Sequence, residues 1–423
     1  MKRIYAIISL LLIFGLSIPI HSARSATPAS PDNAEWWGMV VRDPAYEWKT
    51  NPAFPGGVNQ PFIDAMFANL QAAGVQWVRF EFHGTNDGSE YGTIELAQAD
   101  YFVQAADAHG IKVLALLGTD LLRGSKAGVV HFDGGTVSST IPITSPDREL
   151  SCLPTLGCGV NPYQKAWLER ALLIADYYKG RVDAFELFNE QNFYFALINE
   201  TNAQQDEMNP RCVAQTITKF FRILHEAPRL NQTPIIIGGL HPKRSLESGR
   251  TDREYLAALY NSSAFTGYNQ ANGRWPVDGV GYHPYPTEMQ KNDNAFLYLV
   301  GPRLDGLITT LRAKDSSAKL WLSEVGTRGD PNNPTDLTRQ AEFMRLIVAI
   351  FQQRRADIAT WFWFKYEDFP PASEAWGVVS IPFDANGNYD VNGTVQVYKP
   401  AYSQYRRLAL NLTLRVWIPL VTQ

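Results

Sequence analysis

Glu190 closes the run Phe185-Glu186-Leu187-Phe188-Asn189-Glu190, and Glu324 closes Leu320-Trp321-Leu322-Ser323-Glu324. An acid at the end of an apolar strand faces either solvent or the mouth of whatever the strands enclose. Alone, each glutamate is equally well explained as a solvated helix cap. As a pair they say more, because strands of one parallel barrel would open both carboxylates onto its C-terminal rim, where such barrels keep their chemistry. Two carboxyl groups converging on one pocket suit cleavage of a glycosidic bond, which needs one as acid/base and the other as nucleophile or base.

Other residues fall in step with the pair. Arg79 sits inside the otherwise apolar run Trp77-Val78-Arg79-Phe80, and a buried guanidinium requires a carboxylate, for which Glu324 is the expected partner. His283-Pro284-Tyr285 ends the strand before that of Glu324, which predicts imidazole and phenol beside the same carboxylate. Trp361 and Trp363 share one face of the run Thr360–Phe364 by strand period, and Trp363, nearer the rim, is the expected apolar floor for a sugar ring. Trp36, Trp37, Trp275 and Trp376 are candidates for outer subsites, although 11 tryptophans are enough that some must be structural.

Positioning these groups takes a regular frame. Eight β-type runs recur along the chain: 35–41, 75–82, 111–118, 182–188, 234–239, 277–283, 319–324 and 358–364. Helical patterns separate them, as in Phe62-Ile63-Met66-Phe67-Leu70 and Phe343-Leu346-Ile347-Ile350-Phe351, whose i, i+3, i+4 spacing lays one apolar face on a barrel. Stops such as Ala73-Gly74 and His109-Gly110 precede strands two and three. The predicted fold is a single closed eight-stranded α/β barrel with long connections after strands three and eight, both overhanging the active face. No Gly-x-Gly-x-x-Gly follows the first strand and no phosphate loop is visible, which argues against a nucleotide cofactor. A metal-dependent hydrolase is disfavoured because the seven histidines form no cluster at strand ends.

Of the 423 residues, 45% are apolar and 19% charged, enough for a large core, and a formal charge of −4 gives no support for nucleic acid or an anionic membrane as partner. Lys2 and Arg3, the apolar stretch Ile4–Ile20 and small residues to Ala26 read as an export signal over 1–25, with cleavage after Ala23 or Ser25. A linker (26–34), the barrel (35–410) and a tail (411–423) follow, with no stable membrane insertion once the signal is removed. Cys152 and Cys158 are spaced for a local disulfide in an exported protein, leaving Cys212 as a single buried thiol in a helix.

The set Arg79, Asn189-Glu190, His283-Pro284-Tyr285, Glu324 and Trp363 resembles the retaining glycoside hydrolases of clan A, and the stretches Phe185–Asn192 and Gly281–Pro286 look most like families 39 and 5. The resemblance covers residues 35–410. It implies a (β/α)8 TIM barrel, Glu190 as acid/base, Glu324 as nucleophile, Asn189 bonding the sugar 2-hydroxyl, no cofactor and a carbohydrate substrate for a secreted enzyme. Phe188, where many relatives have tryptophan, and Gln191, where proline is frequent, are departures that bear on substrate rather than on the catalytic pair. A noncatalytic carbohydrate-binding barrel is the alternative.

Overall fold

A computed structural model describes residues 35–42, 58–85, 87–94, 96–123, 162–193, 195–197, 203–205, 207–208, 210–243, 250–287, 292–370 and 374–411. The expected signal and linker, nearly all of the tail, Cys152 and Cys158 lie outside them. From Glu35 onward the chain forms one unit. Its strands are β1 (Trp37–Val40), β2 (Trp77–Glu81), β3 (Lys112–Leu117), β4 (Ala184–Leu187), β5 (Ile235–Leu240), β6 (Gly279–Tyr282), β7 (Lys319–Val325) and β8 (Ile358–Trp363). Each pairs in parallel with the next, and β8 pairs with β1 to close the barrel. The predicted (β/α)8 barrel is the fold observed, and all eight runs are its strands.

The surrounding helices are α1 (Gln60–Ala73), α2 (Leu96–Ala108), α3 (Pro162–Tyr177), α4 (Pro210–His225), α5 (Asp252–Asn261), α6 (Ser263–Asn272), α7 (Val300–Arg312), α8 (Pro334–Gln352) and α9 (Pro400–Ala409). Helix α1 shows how sequence sets their limits. The Asn59 side chain accepts from the Phe62 amide, Pro61 fits the first turn where no amide is needed, and Gly74 ends the helix at φ 81°. Its apolar stripe buries Phe62, Ile63, Met66, Phe67 and Leu70, each contributing roughly 1.5–3 kcal/mol against the barrel. Among the described residues no helix is long and apolar enough to cross a membrane. Cys212 is fully buried in α4, as expected.

Inside the barrel, alternate residues stack in layers. Val40, Trp77, Leu114, Ala184, Ile236 and Phe362 fill the lower layer, where Trp77 and Trp321 meet edge to face at 5.3 Å. Two residues further toward the strand ends, the same faces present Arg79, Glu186, Ser323 and Phe364. The floor is therefore apolar and the layer above it charged.

This alternation overturns the expectation for Trp363. In β8 and the residue after it, Phe362 and Phe364 face inward; Trp361 and Trp363 face the helices. Trp363 is fully buried 6.0 Å from Phe343 of α8, so it cannot be a sugar platform. Trp36 and Trp37 are likewise not subsite residues, since both pack in the core against Trp361. Trp275 packs on Tyr260 and Phe265 beside α5 and α6. Of the four tryptophans considered for subsites, Trp376 lies nearest the mouth, 5.6 Å from Phe364 and 6.2 Å from Tyr285.

Candidate active site

The charged layer is organised around Arg79. Its Nε donates to Glu186 Oε2 at 2.5 Å, its Nη1 to Glu324 Oε2 at 3.2 Å and its Nη2 to Asn189 Oδ1 at 2.8 Å. The expected contact with Glu324 exists, but the closest partner is Glu186, which the sequence reading did not single out. Glu186 is fully buried and its other oxygen accepts from the Gly239 amide at 2.8 Å and Ser323 Oγ at 2.7 Å. Burial opposes a charge on Arg79, yet Glu186 and Glu324 more than offset it and hold the guanidinium above its ordinary pKa. Arg79 is thus a fixed cation that orients Glu324 and Asn189.

Local irregularities bring consecutive residues into one site. In a regular strand Ser323 and Glu324 would face opposite sides, but both reach the barrel interior, and the β7–β8 register shifts between Leu322 and Val325. At the end of β4, Phe188 at φ 70° and Glu190 at φ 47° adopt left-handed backbone, a cost of about 1–3 kcal/mol each for non-glycine residues. These turns send Phe188 outward to stack on Trp167 at 4.5 Å while Asn189 and Glu190 both stay in the mouth.

Glu190 and Glu324 converge. Ligand atoms of Glu190, His283 and Glu324 all lie within 4.8 Å of one another. Their side chains remain 27% and 15% exposed, so both open to the mouth. Tyr285 donates to Glu324 Oε1 at 2.7 Å, as expected, and its hydroxyl pKa is raised by burial and by the Glu324 charge. His283 lies near Glu324, as expected, but the carboxylate it hydrogen-bonds is Glu190, whose Oε1 is 2.9 Å from its Nδ1.

Gly239 explains that path. The imidazole of His283 lies where a side chain on β5 would be, since a Cβ on Gly239 would fall 2.0 Å from its Nε2 and 2.7 Å from Ser323 Oγ. Gly239→Ala is therefore expected to destabilise the protein by about 1–3 kcal/mol, because His283 is fully buried and has nowhere to move. Urea unfolding measures this, and an unchanged midpoint would contradict the packing argument.

A second imidazole, unforeseen, reaches the same oxygen: His241 Nδ1 is 3.3 Å from Glu190 Oε1. It follows β5 as His241-Pro242, the same strand-end dipeptide as His283-Pro284, and that echo was the available signal. His241 stacks on Phe193 at 4.1 Å, and Asn192 clasps its backbone at both the amide and the carbonyl. Burial raises the Glu190 pKa, but the hydrogen bonds to His241 and His283 outweigh it and hold the carboxyl below its usual range. In the free protein Glu190 is therefore held as the anion, whereas an acid role was expected to keep its proton on.

A cavity of about 460 Å³ opens beside the pair. Arg79, Asn189 and Glu324 form its base; Val41 and Arg42 after β1, Glu81 at the end of β2 with His83 after it, Asp120 and Arg123 after β3, and Phe364 and Lys365 after β8 form its walls. The other convergent donor set among the described residues is Glu81, His83 and Asp120. Arg123 Nη2 already lies 2.8 Å from His83 Nδ1 and 2.6 Å from Asp120 Oδ2, so a guanidinium stands where a metal ion would have to bind. Around Glu324, Arg79 and Tyr285 engage both carboxylate oxygens in the same way.

No protein-family model and no curated protein matches the chain. Solved structures do. The GH1 β-glucosidase of Exiguobacterium antarcticum B7 is 14% identical, with TM-score 0.56 over 90% of this chain and 98% of that one. A GH5-4 broad specificity endoglucanase from Clostridium longisporum is 12% identical, with TM-score 0.53 over 90% and 98%. A family 39 glycoside hydrolase from Bacteroides cellulosilyticus WH2 matches at 14% identity and TM-score 0.49 over 89% of this chain, which spans 64% of that protein, less than two thirds. The fold of this chain is the (β/α)8 barrel on which the GH1 and GH5-4 glycoside hydrolases are built.

Proposed function

We propose that the protein is a secreted retaining glycosidase acting on β-linked glycans or glycosides, with residues 35–410 as the catalytic barrel behind a cleaved export signal. The observation that carries this reading is the approach of Glu190 and Glu324 ligand atoms to within 4.8 Å. A retaining pair stands about 5–5.5 Å apart, whereas inversion needs about 6.5–9.5 Å to admit water between them. The fold shared with a β-glucosidase and an endoglucanase supports a β-linked carbohydrate as substrate.

In this mechanism a Glu324 oxygen attacks the anomeric carbon, the glycosidic C–O bond breaks, and Glu190 passes a proton to the departing oxygen. Arg79 and Tyr285 aim the nucleophile. Both imidazole contacts fall on Glu190 Oε1, which leaves Oε2 for proton transfer. Asn189 Oδ1 is taken by Arg79, so its amide nitrogen is the group turned to the sugar 2-hydroxyl. Glu190 then deprotonates the water that releases the sugar from Glu324. No step calls on a metal ion or organic cofactor.

Hydrolysis of a panel of aryl β-glycosides and polysaccharides, followed by proton NMR before mutarotation, tests the reading. The β-anomer is expected first. Initial release of the α-anomer would sink the double displacement.

A further inference from the structure

We propose that Glu81, at the end of β2, sets substrate specificity by accepting a hydrogen bond from the 3- or 4-hydroxyl of the sugar that Glu324 attacks, so that a sugar in which that hydroxyl is missing or masked is rejected. This rests on the glycosidase reading for the word substrate, but the contact itself stands on the residues below.

The inward residues of β2 climb from floor to rim, with Trp77 in the apolar layer, Arg79 in the charged layer and Glu81 one step higher. Glu186 and Glu324 both bond the Arg79 guanidinium directly. Among the described residues Glu81 does not, and it lines the cavity of about 460 Å³ instead.

The two oxygens of Glu81 have different surroundings. Arg123 Nη2 lies 2.8 Å from His83 Nδ1 and can only donate, so Nδ1 accepts and the imidazole proton sits on Nε2, which faces Glu81 Oε2 at 3.4 Å. That contact fixes the direction of the carboxylate. Oε1 lies over Gly118, just after β3, where an added Cβ would fall 1.9 Å from it. Among the described residues this oxygen accepts no hydrogen bond, and the side chain keeps 24% of its surface open at the cavity. A carboxylate can only accept and a sugar hydroxyl can donate, so the two would form a charge-assisted hydrogen bond.

The order of strands around the mouth says which hydroxyl this is. Glu190 and its two imidazoles come from the ends of β4, β5 and β6, so the protonated leaving group departs on that side. The cavity extends the other way, toward β1, β2, β3 and β8, and holds the ring attacked by Glu324. With C1 at Glu324 and the 2-hydroxyl at Asn189 after β4, the ring continues from C2 past β3 toward β2. C3 and C4 are therefore the carbons that face Glu81.

Kinetics of the intact protein with aryl β-glucoside, β-mannoside and β-xyloside, each beside its 2-, 3- and 4-deoxy forms, test this. In the wild type the 3- or the 4-deoxy form of the best substrate is expected to lose roughly 10- to 100-fold in kcat/KM, the usual worth of a hydrogen bond to a charged group. In Glu81→Ala that penalty should shrink to about threefold or less, while the 2-deoxy penalty, which belongs to Asn189, stays. Gly118→Ala keeps the charge and displaces Oε1. Its backbone, at φ −83° and ψ −169°, suits alanine, and only the end of the Glu81 side chain has to move, so the protein should fold and show the same reduced penalty. Should Glu81→Ala fail to fold, Glu81→Gln and Gly118→Ala carry the comparison. No 3- or 4-deoxy penalty in the wild type, an equal one in the variants, or loss of the 2-deoxy penalty along with it would each overturn the proposal. Turnover with unchanged penalties removes the Glu81 contact alone. If no glycoside is cleaved, the glycosidase reading falls, and calorimetric titration with glucose, mannose, xylose and their deoxy forms makes the same comparison as binding: a 3- or 4-deoxy penalty erased by Glu81→Ala upholds the contact, and unchanged penalties or no binding overturn it.

Discussion

Replacing Glu324 by alanine is expected to lower hydrolysis by a factor on the order of 10⁴ or more, the scale of loss when a covalent nucleophile that works as a unit with its neighbours is removed. Arg79 would remain bonded to Glu186 and Asn189, so the scaffold of the site should persist and leave room where the carboxylate stood. Azide can enter that space. With an activated aryl β-glycoside it should restore turnover and yield an α-glycosyl azide, because one displacement inverts where two retain. Full activity in the variant would remove Glu324 from the chemistry. A wild-type protein that binds sugar and releases no product from any glycoside would instead make the barrel a carbohydrate-binding one.

Much of this site could be read from the chain because charged residues are rare within parallel strands buried on both faces. Arg79, Glu190 and Glu324 stood out for that reason. Glu186 satisfied the same criterion and was passed over, although a carboxylate in β4 at the level of an arginine in β2 is its obvious electrostatic complement. The faces of β8 were harder to assign. Both alternating pairs, Phe362-Phe364 and Trp361-Trp363, are aromatic, so period alone identifies two faces without saying which looks inward. Trp363, the outer member of the larger pair, was expected to be the sugar floor, but the space between barrel and helices admits the bulkier rings, and Phe364 lines the cavity instead.

The contact of His283 with Glu190 was hidden for a different reason. Adjacency along the barrel placed His283 next to Glu324 on β7, and Glu190 on β4 lies beyond β5. The imidazole crosses β5 only because Gly239 carries no side chain there. A sequence shows such a gap as a glycine, with no indication of which neighbour fills it. The left-handed backbone at Phe188 and Glu190 was equally invisible, since neither residue type favours it.

Those two imidazoles make the Glu190 variant the more informative one. Glu190→Ala should cost about 10²–10⁴-fold on glycosides with poor leaving groups, the usual worth of a general acid, and much less in the first step with dinitrophenyl glycosides, which need no proton. The pH dependence follows from the hydrogen bonds of His241 and His283, which hold the Glu190 carboxyl below its ordinary range. Since the folded-state pKa is depressed, the contribution of Glu190 to stability is fully present above its unfolded value of about 4.3 and is lost as pH falls through the folded value. Catalysis has the opposite sign: the protonated acid is scarce in the free protein at neutral pH, so kcat/KM for poor leaving groups should climb as the solution becomes more acidic. Substituting phenylalanine for His241 removes one donor and should move that limb toward higher pH. Activated substrates should show a flatter profile over the same range. A profile for unactivated glycosides that stays level from pH 4 to 9, or that His241→Phe leaves in place, would mean that the proton reaches the leaving group from elsewhere.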